Sequence, residues 1–167
     1  MTPLASDTSL TTLRNVAAFL SPEWLEELRA AATRSARLPD DLAEVSATFQ
    51  QVVREAPGGE VAYAIRIAGG HVEVEPGPPD APDLTFTTDY VTAVAMNQGR
   101  LTAQEALTSG RLRVRGNLDV LAADARALGA VDDLFADVRA RTTYHLGPYP
   151  AGDDKARGPT NAARRTR

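Results

Sequence analysis

The sequence predicts a mixed α/β (α+β) domain, and three local patterns carry that prediction. Between Val45 and Val74, period-two alternation broken by glycine pairs reads as three antiparallel strands. Helix starts stand on both sides of that meander, at Ser21-Pro22-Glu23 and at Thr102-Ala103-Gln104-Glu105. Two further strand-like segments, Leu84-Thr85-Phe86 and residues 111–115, alternate with helical spacings.

Residues 1–8 read as disordered, and Leu10, Leu13, Val16, Ala17 and Leu20 then recur at helical spacing, which predicts a short amphipathic helix. Ser21 is placed to cap the next helix, with Pro22 at its first position and Glu23 facing its positive end. Leu20 and Leu25 occupy the two positions of a hydrophobic staple. Trp24, Leu25 and Leu28 give this helix an apolar face, and it should stop before Pro39. Val45, Ala47 and Phe49 begin the first strand, which runs to about Glu55. A turn at Pro57-Gly58-Gly59 leads to a second strand with Val61, Tyr63, Ile65 and Ile67 on one face. Gly69-Gly70 turns the chain into His71-Val72-Glu73-Val74, and Pro76-Gly77-Pro78-Pro79 is a loop.

In the second half, Thr88 or Asp89 can cap a helix carrying Tyr90, Val91, Val94 and Ala95 that ends at Gly99. Thr102 and Glu105 have capping-box spacing ahead of Ala106 and Leu107, with Gly110 past the helix end. Strict alternation over residues 111–115 predicts a strand with one dry and one charged face. Asn117 can cap a helix with Leu118, Leu121, Ala125 and Leu128 on one side, and a last helix carries Leu134, Phe135 and Val138. From Gly147 the chain turns to Gly, Pro, Asp and Arg and reads as a flexible tail.

Composition excludes several functions. The 167 residues contain no cysteine, which removes disulfides, thiolate catalysis and cysteine-ligated zinc. A formal net charge of −4 argues against general nucleic-acid binding. No apolar run is long enough for a transmembrane helix, so no stable membrane insertion is expected. The start, MTPLASDTSLTTLRN, lacks a basic region followed by an apolar one, so no secretory signal is expected and a cytoplasmic location is. Lys155 is the sole lysine and the other basic residues are arginines, in keeping with a GC-rich genome.

The candidate chemistry is sparse. His71 at a turn and His145 read as exposed structural residues, and Asp132-Asp133 reads as a pair near a helix start, where carboxylates complement the dipole, rather than a metal site. Neither Ser46 nor Ser109 has a nucleophile-elbow context. The glycine turns join antiparallel strands, so none reads as a nucleotide loop, and no metal or cofactor is implied. Arg111, Arg113 and Arg115 concentrate charge on one strand face; they read as a solvated face or as a contact for an anionic head group or a partner protein. Periodicity alone marks Trp24, Phe49, Tyr63, Phe86, Tyr90, Met96 and Leu121 as core and does not separate a filled core from a hollow one.

Three segments together resemble the sterol carrier protein 2 domain: FLSPEWLEELRAAA, the meander ending HVEVEPG, and DLTFTTDYVTAVAMNQGRLTAQEALTSGRLRVRGNLDVL. The resemblance runs from Phe19 to Val138 and implies a five-stranded, mostly antiparallel sheet covered by helices, with an apolar tunnel for sterols, fatty acids or acyl-CoA. On this resemblance residues 1–18 form an extension, 19–140 the lipid-binding domain and 141–167 a polar tail. It implies a tunnel lined by Phe86, Tyr90, Val91, Val94, Ala95, Leu107, Leu121, Leu128 and Phe135, with contributions from Trp24 and Phe49. The chain departs from animal members in its extra N-terminal residues, its long tail and an Arg165-Thr166-Arg167 end that is no peroxisomal address, which favours a bacterial member.

The resemblance implies non-enzymatic binding or transfer of a lipid or other apolar small molecule. Two alternatives stand beside it. One is an enzyme using the same cavity, a cyclase or isomerase, with Asp89, Tyr90 or His71 as acid–base aid. The other is an accessory module docking on a partner enzyme through the Arg111, Arg113 and Arg115 face.

Overall fold

A computed structural model describes residues 17–35 and 37–145. Of the helix expected from Leu10 to Leu20, only residues 17–20 fall within it, and they form a bridge and a turn rather than a helix. The tail from Gly147 lies outside the described residues. Ala18 pairs in parallel with Thr143, so the two ends of the described chain run side by side. Helix α1 (Pro22–Arg34) then starts as its sequence dictates: the Ser21 hydroxyl accepts from the Trp24 N–H at 3.2 Å, and Leu20 and Leu25 are both buried. Its buried stripe of Trp24, Leu25, Leu28, Ala31 and Ala32 lies on the sheet beside the strand at residues 71–76.

After a short 3₁₀ turn (Asp40–Leu42) come β1 (Ala47–Ala56), β2 (Gly59–Ala68) and β3 (His71–Pro76), an antiparallel meander. Its second turn needs two residues at positive φ, and Gly69 (+56°) and Gly70 (+76°) supply them. Strand β4 (Leu84–Asp89) lies parallel to β1 on the edge that β2 leaves free, and β5 (Arg113–Gly116) closes the sheet antiparallel to β4. The order is β3-β2-β1-β4-β5, so the sheet is five-stranded and mostly antiparallel.

Alternation along these strands gives the sheet two unlike faces. Ala47, Phe49, Val53, Ile65, Ile67, Val72, Val74, Leu84 and Phe86 are buried on the inner face, against the helices. Thr48, Gln50, Val52, Thr85 and Thr87 point the other way and are half-buried, with the Thr85 hydroxyl donating to Gln50 Oε1 at 3.1 Å.

Helix α2 (Tyr90–Asn97) is capped by Asp89, whose two carboxylate oxygens accept from the Thr92 N–H and the Thr92 hydroxyl, each at 2.8 Å. Helix α3 (Ala103–Thr108) has the complete capping box, and the Thr102 N–H and hydroxyl hold the exposed Glu105 carboxyl below its ordinary range. Asn117 caps α4 (Leu118–Ala123). The single helix expected from Asn117 through Leu128 is two: the chain leaves helical geometry at Asp124 and resumes in α5 (Ala125–Leu134). Aspartate favours helix ends over helix interiors, which suits it to that break. A second break at Phe135 separates α6 (Ala136–Ala140) from α5.

Asp83 and Gly116 join the two halves of the sheet. The Asp83 carboxylate accepts from the Thr48 N–H at 2.7 Å, its N–H donates to the Thr48 carbonyl, and its carbonyl accepts from the Asn117 N–H. Gly116 sits at φ +116°, where a Cβ would overlap the Asp83 carbonyl oxygen. The Gly116→Ala variant should therefore lose about 3 kcal/mol of stability, read as a lower urea midpoint. By contrast Gly58→Ala, where a Cβ meets open space, should change it by less than about 1 kcal/mol.

Candidate ligand-binding site

The inner face of the sheet, α1, α2 and the α4–α6 layer enclose one continuous apolar body. Phe49 and Phe86 meet across neighbouring strands, with ring centroids 6.3 Å apart. Phe49, Val94, Trp24, Tyr90, Phe135 and Phe86 are buried, whereas Leu121 and Leu128 are half-buried and pack against that core. Ala95 is half-buried at the end of α2, where its carbonyl accepts from the Arg100 and Leu101 N–H groups. Val91 and Leu107 lie outside this body, 48% and 45% exposed.

A second feature is an aromatic cluster where α1, α2 and the 142–145 segment meet. Phe19 lies edge-on to Trp24 at 4.9 Å and tilted against Tyr144 at 5.5 Å and Tyr90 at 5.8 Å. Trp24 in turn meets Tyr63 at 5.9 Å and donates its indole N–H to the Thr142 hydroxyl at 3.0 Å. Asn97 donates to the Tyr144 hydroxyl oxygen at 2.8 Å. Beside this cluster, Ala17, Trp24, Glu27, Val138, Arg141 and Thr142 line a crevice of about 10 Å³, room for about one water. The body between sheet and helices is packed with side chains, so a ligand of lipid size would have to displace some of them.

Phe19, Asn97, Thr142 and Tyr144 are absent from the sequence-based candidates. The one signal for Tyr144 is an aromatic residue inside a stretch otherwise read as polar tail. The acid–base candidates are placed elsewhere: His71 is exposed at the β2–β3 turn, and both oxygens of Asp89 are engaged in capping. Arg111, Arg113 and Arg115 are exposed, and Arg113 and Arg115 project from the side of β5 opposite Val114, away from the apolar body. Among the described residues no group of three or more His, Asp or Glu side chains could hold a metal ion, and no helix is long and apolar enough to cross a membrane.

Residues 25–128 match the SCP-2 sterol transfer family. The chain belongs to that family. A crystal structure of sterol carrier protein 2 is similar at 20% identity over 72% of this chain and 96% of that one, with a TM-score of 0.53. The solution structure of sterol carrier protein domain 2 of Helicoverpa armigera is similar at 25% identity over 69% and 87%, with a TM-score of 0.50. Sterol carrier protein 2 like 2 from Aedes aegypti matches at 22% identity over 62% and 92%, with a TM-score of 0.49. No curated protein sequence matches the chain. The sterol carrier protein 2 fold expected from the sequence is thus the fold of this member of the family.

Burial pushes the Tyr63 phenol well above its ordinary 10.0, and burial also raises Tyr144. Above pH 10 the unfolded chain releases these protons and the folded chain retains them, so stability must fall as pH rises through 10. Tyr63 alone should cost about 1.4 kcal/mol by pH 11. Tyr63→Phe should lose less stability between pH 8 and pH 11 than the parent, as read from urea midpoints at the two pH values.

Proposed function

We propose that this family member is a non-enzymatic, cytoplasmic carrier that binds a lipid or other apolar small molecule, of the sterol, fatty acid or acyl-CoA class, between the inner sheet face and the α4–α6 layer. The observation that carries the reading is an apolar sheet face continuous with a layer of short helices whose Leu121, Leu128 and Leu134 are only half-buried. Helices of six, ten and five residues are not stable alone and hold their place by packing. Their side chains can therefore yield to a ligand at lower cost than those of the strands. A chain of about 16 carbons gains at most about 12 kcal/mol on burial, before ordering, association and the displacement of packed side chains are subtracted. Chain-length selectivity would be shallow, since each methylene contributes about 0.8 kcal/mol.

Arg113 and Arg115 face away from this site, so their part in the reading is contact with an anionic group or a partner protein outside it. The single tryptophan, Trp24, provides the probe. Titration with the fluorescent fatty acid cis-parinaric acid should quench Trp24 emission saturably near one ligand per chain, and unlabelled lipid should restore it. Mass spectrometry of a solvent extract of the purified protein should find an apolar ligand. A protein that yields none and binds no fatty acid, sterol or acyl-CoA saturably would rule the carrier reading out.

A further inference from the structure

Tyr90, the first residue of α2, is 5% exposed, and its hydroxyl is the single buried side-chain oxygen or nitrogen without a hydrogen-bond partner among the described residues. The ring is accounted for by its packing on Phe19. The hydroxyl is not: an unmet buried O–H is destabilising, and phenylalanine would fill the same space without that cost. Tyr144 packs on the same Phe19 ring, with centroids 5.5 Å apart. Tyr144 accepts from Asn97, and its own O–H donates to no acceptor among the described residues. Two phenolic donors and the lone pairs of Tyr90 thus remain unspent at the apolar body, beside Phe19.

We propose that the Tyr90 hydroxyl, seconded by Tyr144, is the polar anchor of the apolar site and hydrogen-bonds a neutral oxygen, an alcohol or a ketone, on an otherwise apolar ligand. This inference rests on the carrier reading. Neutrality follows from the surroundings. The cations nearest this cluster in the chain, Arg139 and Arg141, are already paired with Asp132 and Glu27. An ionised carboxylate brought in beside Phe19 and Tyr90 would be desolvated without a free counter-charge, which is costly. A hydroxyl or carbonyl asks only for the hydrogen bonds that the phenols have left over.

The test uses matched pairs delivered from cyclodextrin, 1-hexadecanol against hexadecane and cholesterol against cholestane, each displacing cis-parinaric acid. In at least one pair the oxygenated member should bind the parent protein about tenfold more tightly, the equivalent of one hydrogen bond. The pair that shows the ratio identifies a linear or a sterol skeleton. In Tyr90→Phe the ratio should fall to within about twofold with the hydrocarbon affinity unchanged, and the ligand-free melting temperature should hold or rise. Tyr144→Phe should lower the ratio in the same direction. An equal ratio in parent and Tyr90→Phe, with hydrocarbon still bound, overturns the anchor alone. Palmitate binding more tightly than hexadecanol overturns the neutral-oxygen assignment. A parent protein that binds no member of either pair and no palmitate overturns the carrier reading and the anchor with it.

Discussion

The parallel pairing of β4 with β1 is the constraint on which the rest of this fold depends. After the meander, the chain sits at the β3 edge and must pass β2 to reach the free side of β1. Asp83 fixes where it arrives. Its carboxylate and backbone N–H engage both backbone polar groups of one residue, the N–H and the carbonyl of Thr48, which sets Leu84 opposite Phe49. A slip of one residue would turn Leu84 and Phe86 out of the core and Thr85 and Thr87 into it. The same residue's carbonyl receives the Asn117 N–H over a glycine that alone tolerates the approach, so β5 and the cap of α4 are placed by the same few atoms.

Two kinds of local signal are legible in the amino-acid sequence. Caps are local: Ser21, Asp89, Thr102 and Asn117 each satisfy an N–H two or three residues ahead, so side-chain type and spacing identify them. The strand faces follow equally from period two. What the residues alone do not supply is non-local. Nothing in the 84–89 segment says that it pairs in parallel with a strand 35 residues earlier, and beyond the antiparallel meander the five-stranded sheet is expected only through family resemblance. The breaks at Asp124 and Phe135 escape a reading by pattern because Leu118, Leu121, Ala125 and Leu128 keep helical spacing across the first of them.

The site is legible to a similar depth. Phe49, Phe86, Val94 and Phe135 are apolar residues at strand or helix spacings, and burial is what spacing reports. Val91 and Leu107 satisfy the same pattern from the outer side of short helices, where a turn of helix is too brief for the pattern to define a face. The Phe19–Tyr144 contact joins residues from the two ends of the described chain, far apart in sequence, and no local rule reaches it.

The two layers of the domain differ in how their order is maintained, and that difference bears on what a carrier requires. In the sheet, backbone ladders, the Asp83 grip and fully buried Phe49, Ile67 and Leu84 act together, so local loosening would break several interactions at once. In the α4–α6 layer only α4 has a side-chain cap, and Val120, Leu121, Leu128 and Leu134 bury only part of their surface. Apolar stabilisation scales with area removed from water, so each of these leucines gives up less on moving than a buried counterpart and gains more from contact with an added apolar surface. Ala127, Val131, Phe135 and Val138 anchor the layer in the core, and the part-exposed side chains beside them leave it more apolar surface to bury than the sheet face has. A lipid entering there would exchange partial burial for fuller burial while the sheet beneath it keeps its register.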